Sequence, residues 1–216
     1  MEKLIKTTLL VVFIFCGIPA ASAYDFYISG HGGISMPENS EVTNSTQPGV
    51  KLNYGFDNAP AFTAAIGMVE GAYRSEAEFS YQKSGVSSIG ASGLSVNASA
   101  AGINGNARVM SGMVNAYYDL DLGNNLHPYL TGGVGFSKIK AKFAVSGFPA
   151  LSIKYQDTIL SYQIGAGIGY ALTDRLTLDL RYRFMTGQDA EFPELGGTTR
   201  ASFRSHNFLA GLRYRF

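Results

Sequence analysis

The feature that most constrains the fold of this sequence is a strict alternation of apolar and polar residues near its C-terminus. In the segment 175–184, RLTLDLRYRF, leucines and aromatic residues alternate with Asp179, Arg181 and Arg183. The final segment, 201–216, repeats the pattern, and its apolar positions are Phe208, Ala210, Leu212, Tyr214 and Phe216. A period of two residues is that of a β-strand with two unlike faces. The sequence therefore predicts an all-β fold.

Similar segments recur along the chain, and they are long for β-strands. The predicted strands are 24–34, 61–70, 72–83, 107–120, 127–143, 156–171, 175–186 and 201–216. Most reach the roughly 9–11 residues that a tilted strand needs to cross a membrane, whereas ordinary strands average about 5–6 residues. Alternation alone would also fit a soluble β-sandwich. The strand lengths favour a transmembrane barrel.

The connections between these strands alternate between long and short. The long ones are 35–60, 84–106, 144–155 and 187–200, and the short ones are rich in turn-forming residues. This asymmetry is typical of outer-membrane barrels, which have long external loops and tight periplasmic turns. A sheet in hydrocarbon must also close on itself. We therefore predict an eight-stranded antiparallel up-and-down transmembrane β-barrel with four long extracellular loops.

Two of the long connections carry more specific expectations. The segment PGVKLNYGF (48–56) could extend the second strand upward, in which case the bend at 57–60 would be a β-bulge. The segment 84–106 is rich in serine, glycine and alanine, and this composition predicts a mobile loop.

The N-terminus has the pattern of a secretory signal peptide. Lys3 and Lys6 precede an apolar run, and small residues at 21–23 form a cleavage site. We therefore divide the chain into a signal peptide (1–23) and a barrel domain (24–216). The only cysteine, Cys16, lies in the signal. Cleavage removes two of the 17 basic and one of the 16 acidic residues, leaving 15 of each, and this balance argues against a nucleic-acid partner.

Strand parity assigns a set of polar side chains to the barrel interior. An eight-stranded barrel is just wide enough for its side chains to fill, and an unpaired buried charge costs several kcal/mol. We therefore predict that these charges pair across the lumen and make the barrel at best a narrow or gated conductor. The predicted charge network consists of Arg74, Glu76, Glu78, Asp179, Arg181, Arg183 and Arg213.

The opposite parity is apolar and is predicted to face lipid. Tyrosine and phenylalanine would have to form the aromatic girdles, because the sequence contains no tryptophan. The last strand ends in Phe216 with Tyr214 two residues before it, a placement that matches the signal read by the barrel-assembly machinery. The alternative is that Phe216 is simply a lipid-facing residue.

One long connection contains an apolar group that could bind a ligand. In 144–155, Phe148, Leu151 and Ile153 are predicted to lie where water should be, as in a binding patch. The alternative is that the two flanking strands simply continue through this segment.

The sequence does not predict an enzyme, a cofactor or a metal site. His31 and His206 could approach each other where the first and last strands meet, with Ser29 and Ser205 nearby. Nucleophilic catalysis also needs an orienting third group, and no motif supplies one. A hydrogen-bonded histidine pair at the seam is the expected arrangement.

The sequence resembles a known superfamily. The segments MVNAYYDLDLGNNLHPYLTGGVGF (113–136) and LSYQIGAGIGYALTDRLTLDLRYRF (160–184) are similar to parts of small outer-membrane barrels such as OmpA, OmpX and the opacity proteins, and look closest to surface antigens of rickettsia-like alphaproteobacteria. The resemblance implies location in the outer membrane of a Gram-negative bacterium, surrounded by lipid and lipopolysaccharide. It implies roles as adhesins, antigens or weak porins.

The function expected is that of a monomeric outer-membrane surface protein. Its loops would bind a host or environmental ligand, and its barrel would act as a scaffold. The alternatives are a narrow porin or a structural membrane protein, and, further off, a barrel enzyme that modifies lipid A.

Overall fold

The computed structural model describes residues 25–44, 47–91, 94–146, 148–194 and 197–216 of the 216-residue chain. The predicted signal peptide (1–23) lies outside the described residues. Within the described ranges the chain forms β-strands joined by turns and short connections. The strands are β1 (Asp25–Pro37), β2 (Ser40–Asn44), β3 (Gln47–Phe56), β4 (Ala59–Glu70), β5 (Tyr73–Ala91), β6 (Leu94–Asn97), β7 (Ile103–Asp119), β8 (Leu126–Val145), β9 (Phe148–Ala171), β10 (Leu176–Gly187), β11 (Ala190–Glu194), β12 (Gly197–Ala201) and β13 (Arg204–Arg215).

Eight of these strands form a closed ring. Following the pairings from β1 leads through β4, β5, β7, β8, β9, β10 and β13 back to β1, and every pairing is antiparallel. The closing pair runs from Tyr27 opposite Arg215 to Pro37 opposite Ser205. A closed ring has no free edge. The predicted eight-stranded antiparallel barrel is confirmed, and a two-sheet sandwich is excluded.

The short turns lie at one end of the barrel, called here the lower end. The β4–β5 hairpin turns at Gly71, whose φ of 59° lies in the left-handed region that glycine tolerates. The start of the first barrel strand and the end of the last one also meet there, because the Phe216 N–H donates to the carbonyl oxygen of Phe26 at 3.0 Å. The lower end is therefore compact.

The barrel wall is apolar on its outer face and polar on its inner face, the reverse of a soluble protein. Ile66, Leu130 and Ile164 point outward and are 57%, 59% and 66% exposed, whereas Glu76 and Arg183 point inward and are 1% and 2% exposed. An outer apolar band of this kind fits hydrocarbon. No helix of the described residues is long and apolar enough to cross a membrane.

At the upper end, further strands continue the sheet above the barrel, and they are called here the extension. The strands β11, β12, β2 and β3 pair in that order, and β3 joins the upper part of β5, which also pairs with β6. The segment 84–106, predicted to be a mobile loop, instead lies largely in β5, β6 and β7. The composition wrongly predicted a loop because it does not show pairing with distant strands. Neighbouring strands satisfy the backbone hydrogen bonds of this segment, and its small side chains fit in a strand that is paired on both sides.

The second barrel strand extends upward as the alternative interpretation had it. β3 and β4 follow each other with only residues 57–58 between them, and the Asp57 N–H donates to the Gly85 carbonyl oxygen at 2.9 Å. The register of β3 on β5 shifts between Gly55 and Phe56, as in a β-bulge. One barrel strand therefore feeds directly into the extension.

Candidate functional site: the barrel lumen and the cup above it

The lower lumen is organised around Glu76. Its carboxylate accepts hydrogen bonds from the hydroxyls of Tyr117 at 2.7 Å, Tyr27 at 3.1 Å and Ser29 at 3.3 Å. The Nη1 atom of Arg181 lies 3.9 Å from Glu76 Oε1. These donors come from strands on several sides of the barrel. The carboxylate therefore ties the lumen together across its width.

Glu78, one step higher on the same strand, bridges two arginines. Its Oε2 accepts from Arg181 Nη1 at 2.8 Å, and its Oε1 accepts from Arg183 Nη1. Arg183 also donates to Gln163 Oε1 at 3.1 Å. The side chain of Glu78 is completely buried, and that of Arg183 is 2% exposed. A buried carboxylate held by two guanidinium groups keeps both charges paired.

Asp179 completes this group from the opposite wall. It accepts from Tyr129 Oη at 2.7 Å and lies 3.1 Å from His31 Nε2, and its Oδ1 is 3.9 Å from Arg181 Nε. The structure thus brings together five of the residues proposed for the network, which are Glu76, Glu78, Asp179, Arg181 and Arg183.

Arg74 and Arg213 occupy the lumen but do not join that group. Arg74 forms a bidentate pair with Asp119 at 2.6 and 2.8 Å, and its guanidinium lies 4.3 Å from the ring centroid of Tyr117. Arg213 lies 5.7 Å from the ring centroid of Tyr27, and its Nη1 has no hydrogen-bond partner. Direct ion pairs therefore join five of the seven residues of the predicted network, because strand register places Asp119 beside Arg74, and among the described residues no carboxylate lies within ion-pair distance of Arg213.

Two strand glycines make room for the tyrosines of this layer. A Cβ atom at Gly67 would overlap the phenol of Tyr27, and one at Gly167 would overlap the phenol of Tyr129. These phenols donate to Glu76 and Asp179, respectively. The missing side chains thus allow the rings to reach the carboxylates across a narrow lumen.

The charge layer occupies the lower lumen. Its members include four arginines and four carboxylates, so the formal charges balance without the histidine. The eight residues are Arg74, Glu76, Glu78, Asp119, Asp179, Arg181, Arg183 and Arg213. A layer of serine, asparagine and glutamine side chains lies above them, and Ser35 Oγ donates to Gln82 Oε1 at 2.8 Å. Side chains therefore fill the interior from wall to wall.

Above these polar layers the inner face becomes apolar and encloses a cavity of about 430 Å³, called here the cup. Val109, Ile139, Ala190 and Phe192 line one side of it, and Ile159 belongs to the same hydrophobic cluster. Aromatic rings continue around it, with centroid distances of 5.4 Å for Tyr54 and Phe143, 6.3 Å for Phe143 and Tyr155, and 5.0 Å for Tyr155 and Phe192. Gln82 and Ser84 also line the cavity. The volume lies within the range of about 300–1,000 Å³ found for small-molecule sites.

Sequence reasoning missed the cup, although a signal for it exists. On three adjacent strands the inward parity changes from serine to a large apolar residue two positions higher: Ser111 to Val109, Ser137 to Ile139, and Ser161 to Ile159. Much of the remaining wall comes from β2, β3, β11 and β12, whose positions depend on tertiary pairing. The change of polarity along the inward face can be read from the sequence, but the closing of the cavity by distant strands cannot.

The proposed ligand residues of segment 144–155 fall where side chains are not described. Phe148, Leu151 and Ile153 lie on β9, whose backbone pairs with β8 up to Val145 opposite Phe148. The side chains of all three lie outside the described residues. The backbone therefore shows a continuing hairpin, and the proposed contact of these side chains with a ligand stays a prediction.

The histidine pair expected at the barrel seam does not form. His31 points into the lumen, where its ring nitrogens lie 3.2 Å from Thr63 Oγ1 and 3.1 Å from Asp179 Oδ1. His206 points outward and contacts Tyr182 Oη at 2.9 Å and Glu38 Oε1 at 3.0 Å. The two residues differ in strand parity, so they lie on opposite faces of the wall. Within the described ranges, no group of three or more His, Cys, Asp or Glu residues could hold a metal ion.

Comparison with known proteins agrees with this architecture. Residues 8–216 match the outer membrane protein beta-barrel domain family. The chain belongs to this family. Its membership, together with the closed ring and the apolar outer band, places the protein in the outer membrane.

Individual relatives are distant. An uncharacterised Brucella abortus protein is 28% identical over 142 residues, covering 52% of this chain and 49% of the relative. The outer membrane protein PagN of Salmonella typhimurium is 26% identical over 125 residues, covering 50% of each chain. The chain spans about half the length of the curated relatives it matches. The predicted closeness to rickettsia-like surface antigens stays a prediction.

Solved structures share the fold. OprG of Pseudomonas aeruginosa superposes with a TM-score of 0.57 at 16% identity, covering 90% of this chain and 97% of OprG. Neisserial surface protein A gives a TM-score of 0.54 at 18% identity, covering 90% and 99%. The Escherichia coli outer membrane protease OmpT gives 0.56 at 10% identity, covering 91% and 99%. At these identities the likeness concerns the fold and not the activity.

Proposed function

We propose that this outer-membrane protein is a surface-exposed binding protein whose barrel does not conduct solutes. The observation that carries the proposal is the division of the interior into a sealed lower lumen and an apolar cup at the upper end. Paired charges block passage below, whereas the extension holds structured strands above the apolar outer band. The part able to meet a ligand is therefore the extension, with the barrel as its scaffold.

The cup suggests what the extension binds. Its lining is mainly apolar, and its charged residues, Glu38 and Arg204, pair with each other at 3.6 Å. A charged ligand would thus find no free counter-charge there. We propose that the cup accepts a small neutral apolar group, either a free molecule or part of a larger surface ligand.

The proposed role is non-enzymatic and monomeric. His31 is held by Thr63 and Asp179 below the cup, and His206 lies on the outer face. Neither is placed to act on a group in the cup. A closed ring with no free edge also supports a protein that functions as a single copy.

The absence of tryptophan offers a direct test of the cup. In Phe192→Trp, the new indole would be the only tryptophan, and a neutral brominated short-chain alcohol should quench it saturably. The added change Ile139→Asp should weaken this quenching, because it places a charge in the cup. The matched change Leu94→Asp should not, since Leu94 is 80% exposed and does not line the cup. Linear quenching that ignores Ile139→Asp would refute the proposed apolar site.

Conductance separates the binding role from the porin alternative. In planar bilayers the purified wild-type protein should give no large, stable single-channel current, because the charge layer fills the lumen. A steady current from the pure monomer that changes with Glu78→Gln would instead support the narrow porin.

A further inference from the structure

Six cations lie close together on the outer face of the wall. They come from four adjacent strands, β5, β7, β8 and β9, and their positions alternate with buried inward residues such as Gln82, Val109 and Ile139. Four of the six are exposed and two are half-buried. This group, called here the cation belt, consists of Lys83, Arg108, Lys138, Lys140, Lys142 and Lys154.

Strand register brings these like charges directly opposite one another. Lys83 pairs in register with Arg108, and Arg108 pairs with Lys140. One row higher, Lys142 lies opposite Lys154. Like charges directly opposite on one sheet face are destabilising. Such an arrangement is unfavourable unless an anion lies between the charges.

Among the described residues, no carboxylate within ion-pair distance supplies that anion. None of the six forms a salt bridge with another described residue. The Nε atom of Arg108 is buried and has no hydrogen-bond partner. A buried guanidinium N–H without an acceptor costs free energy. The like charges of the belt are therefore left without a counter-charge among the described residues.

The other exposed cations of the upper half are compensated. Arg204 lies 3.6 Å from Glu38, Lys51 lies 2.8 Å from Glu41, and Arg200 lies 2.9 Å from Glu191. The lack of partners is therefore specific to the belt and is not a general property of the upper surface.

The height of the belt identifies its partner. Below the belt, the outward faces of the same strands are apolar. Tyr81 lies one outward position below Lys83, Met110 below Arg108, and Phe136 below Lys138. The change from apolar to cationic surface marks the level where hydrocarbon gives way to headgroups. Because the belt is continuous with the lipid-facing band, lipid headgroups are the partners expected at that height.

From this geometry we propose that the cation belt binds the phosphate groups of outer-leaflet lipids. Arginine recognises phosphate with paired N–H groups, and lysine acts as a point charge. Bound phosphates relieve the repulsion between the facing cations. The lipid would bind along one side of the barrel, that of β5 and β7–β9, and so orient the protein within the leaflet.

The test compares two triple variants with the same loss of charge. One carries Arg108→Gln, Lys138→Gln and Lys140→Gln in the belt. The control carries Lys51→Gln, Arg200→Gln and Arg204→Gln, which are exposed cations with acidic partners. Both are folded in an uncharged detergent, and folding is checked by the gel shift between unboiled and boiled samples. The probe is diphosphorylated lipid A, with its dephosphorylated form as the reference, and binding is measured by native mass spectrometry.

The wild type should bind the diphosphorylated lipid more tightly than the dephosphorylated one, and the belt variant should lose this preference. An interfacial cation contributes about fivefold in affinity, so three should contribute about a hundredfold. The control variant should bind as the wild type does. Equal binding by both triple variants, or equal binding of both lipids by the wild type, would overturn the proposal. If inorganic pyrophosphate competes at the same concentration as the lipid, the site is one for free phosphate and the lipid assignment is wrong.

Discussion

Replacing Glu78 by glutamine should show how much the stability of the barrel depends on one buried carboxylate. Both oxygens of Glu78 are engaged, Oε2 with Arg181 Nη1 at 2.8 Å and Oε1 with Arg183 Nη1, and the side chain is completely buried. Glutamine keeps the shape but loses the charge, and its amide nitrogen would turn a donor toward a guanidinium donor. Two buried cations would then share no carboxylate between them.

The expected cost follows from that geometry. Removing one partner of a buried ion pair costs about 3–5 kcal/mol, because it leaves an uncompensated charge. Glu191→Gln is the matched control, since it breaks an exposed pair with Arg200 at 2.9 Å. The side chain of Arg200 is 60% exposed and that of Glu191 is 55% exposed. An exposed pair contributes about 0–1 kcal/mol. The double variant Glu78→Gln/Arg183→Gln should be less destabilised than Glu78→Gln alone, because it removes one stranded charge.

The assay is urea unfolding of the protein refolded into lipid vesicles, with the folded fraction read from unboiled gels. Glu78→Gln should lower the midpoint strongly, and Glu191→Gln should leave it nearly unchanged. If the two single variants lose the same stability, the carboxylate does not hold the arginines together and the account of the charge layer is refuted.

Three further predictions concern other parts of the barrel. Gly167→Ala should lower the free energy of unfolding by about 1–3 kcal/mol, because its Cβ would overlap the phenol of Tyr129; an unchanged urea midpoint would contradict this. Tyr129→Phe should cost about 2 kcal/mol, since it removes the 2.7 Å hydrogen bond to the buried Asp179, and the same titration measures it. Phe216→Ala should reduce the amount of assembled protein in cells, as expected if Phe216 with Tyr214 signals to the assembly machinery. Its refolding in vesicles should change much less than its assembly in cells, because refolding in vesicles does not require recognition by the machinery; equal losses in both assays would make it only a lipid contact.

The extent of successful prediction follows the range of the interactions involved. The strand at 175–186 appears as β10 (Leu176–Gly187), because its alternation is written in consecutive residues. The segment 84–106 was misread because its small residues carry little local preference, and pairing with distant β3 decides its conformation. Arg74 was assigned to the correct face, but its partner Asp119 lies 45 residues away on β7. The parity of a residue in its strand predicts which face of the barrel wall its side chain occupies, whereas the register between strands decides which residue it contacts.

The strand pattern, the apolar outer face and the charged interior can therefore be read from the amino-acid sequence, because each depends on a period of two along a single strand. Tertiary structure decided which carboxylate meets which arginine, where the cup closes, and that Lys83, Arg108 and Lys140 align in one row. These contacts depend on tertiary structure because barrel closure sets the stagger of all neighbouring strands together. A one-residue slip in any pair would turn a whole strand inside out. These contacts are thus properties of the closed ring and not of any segment within it.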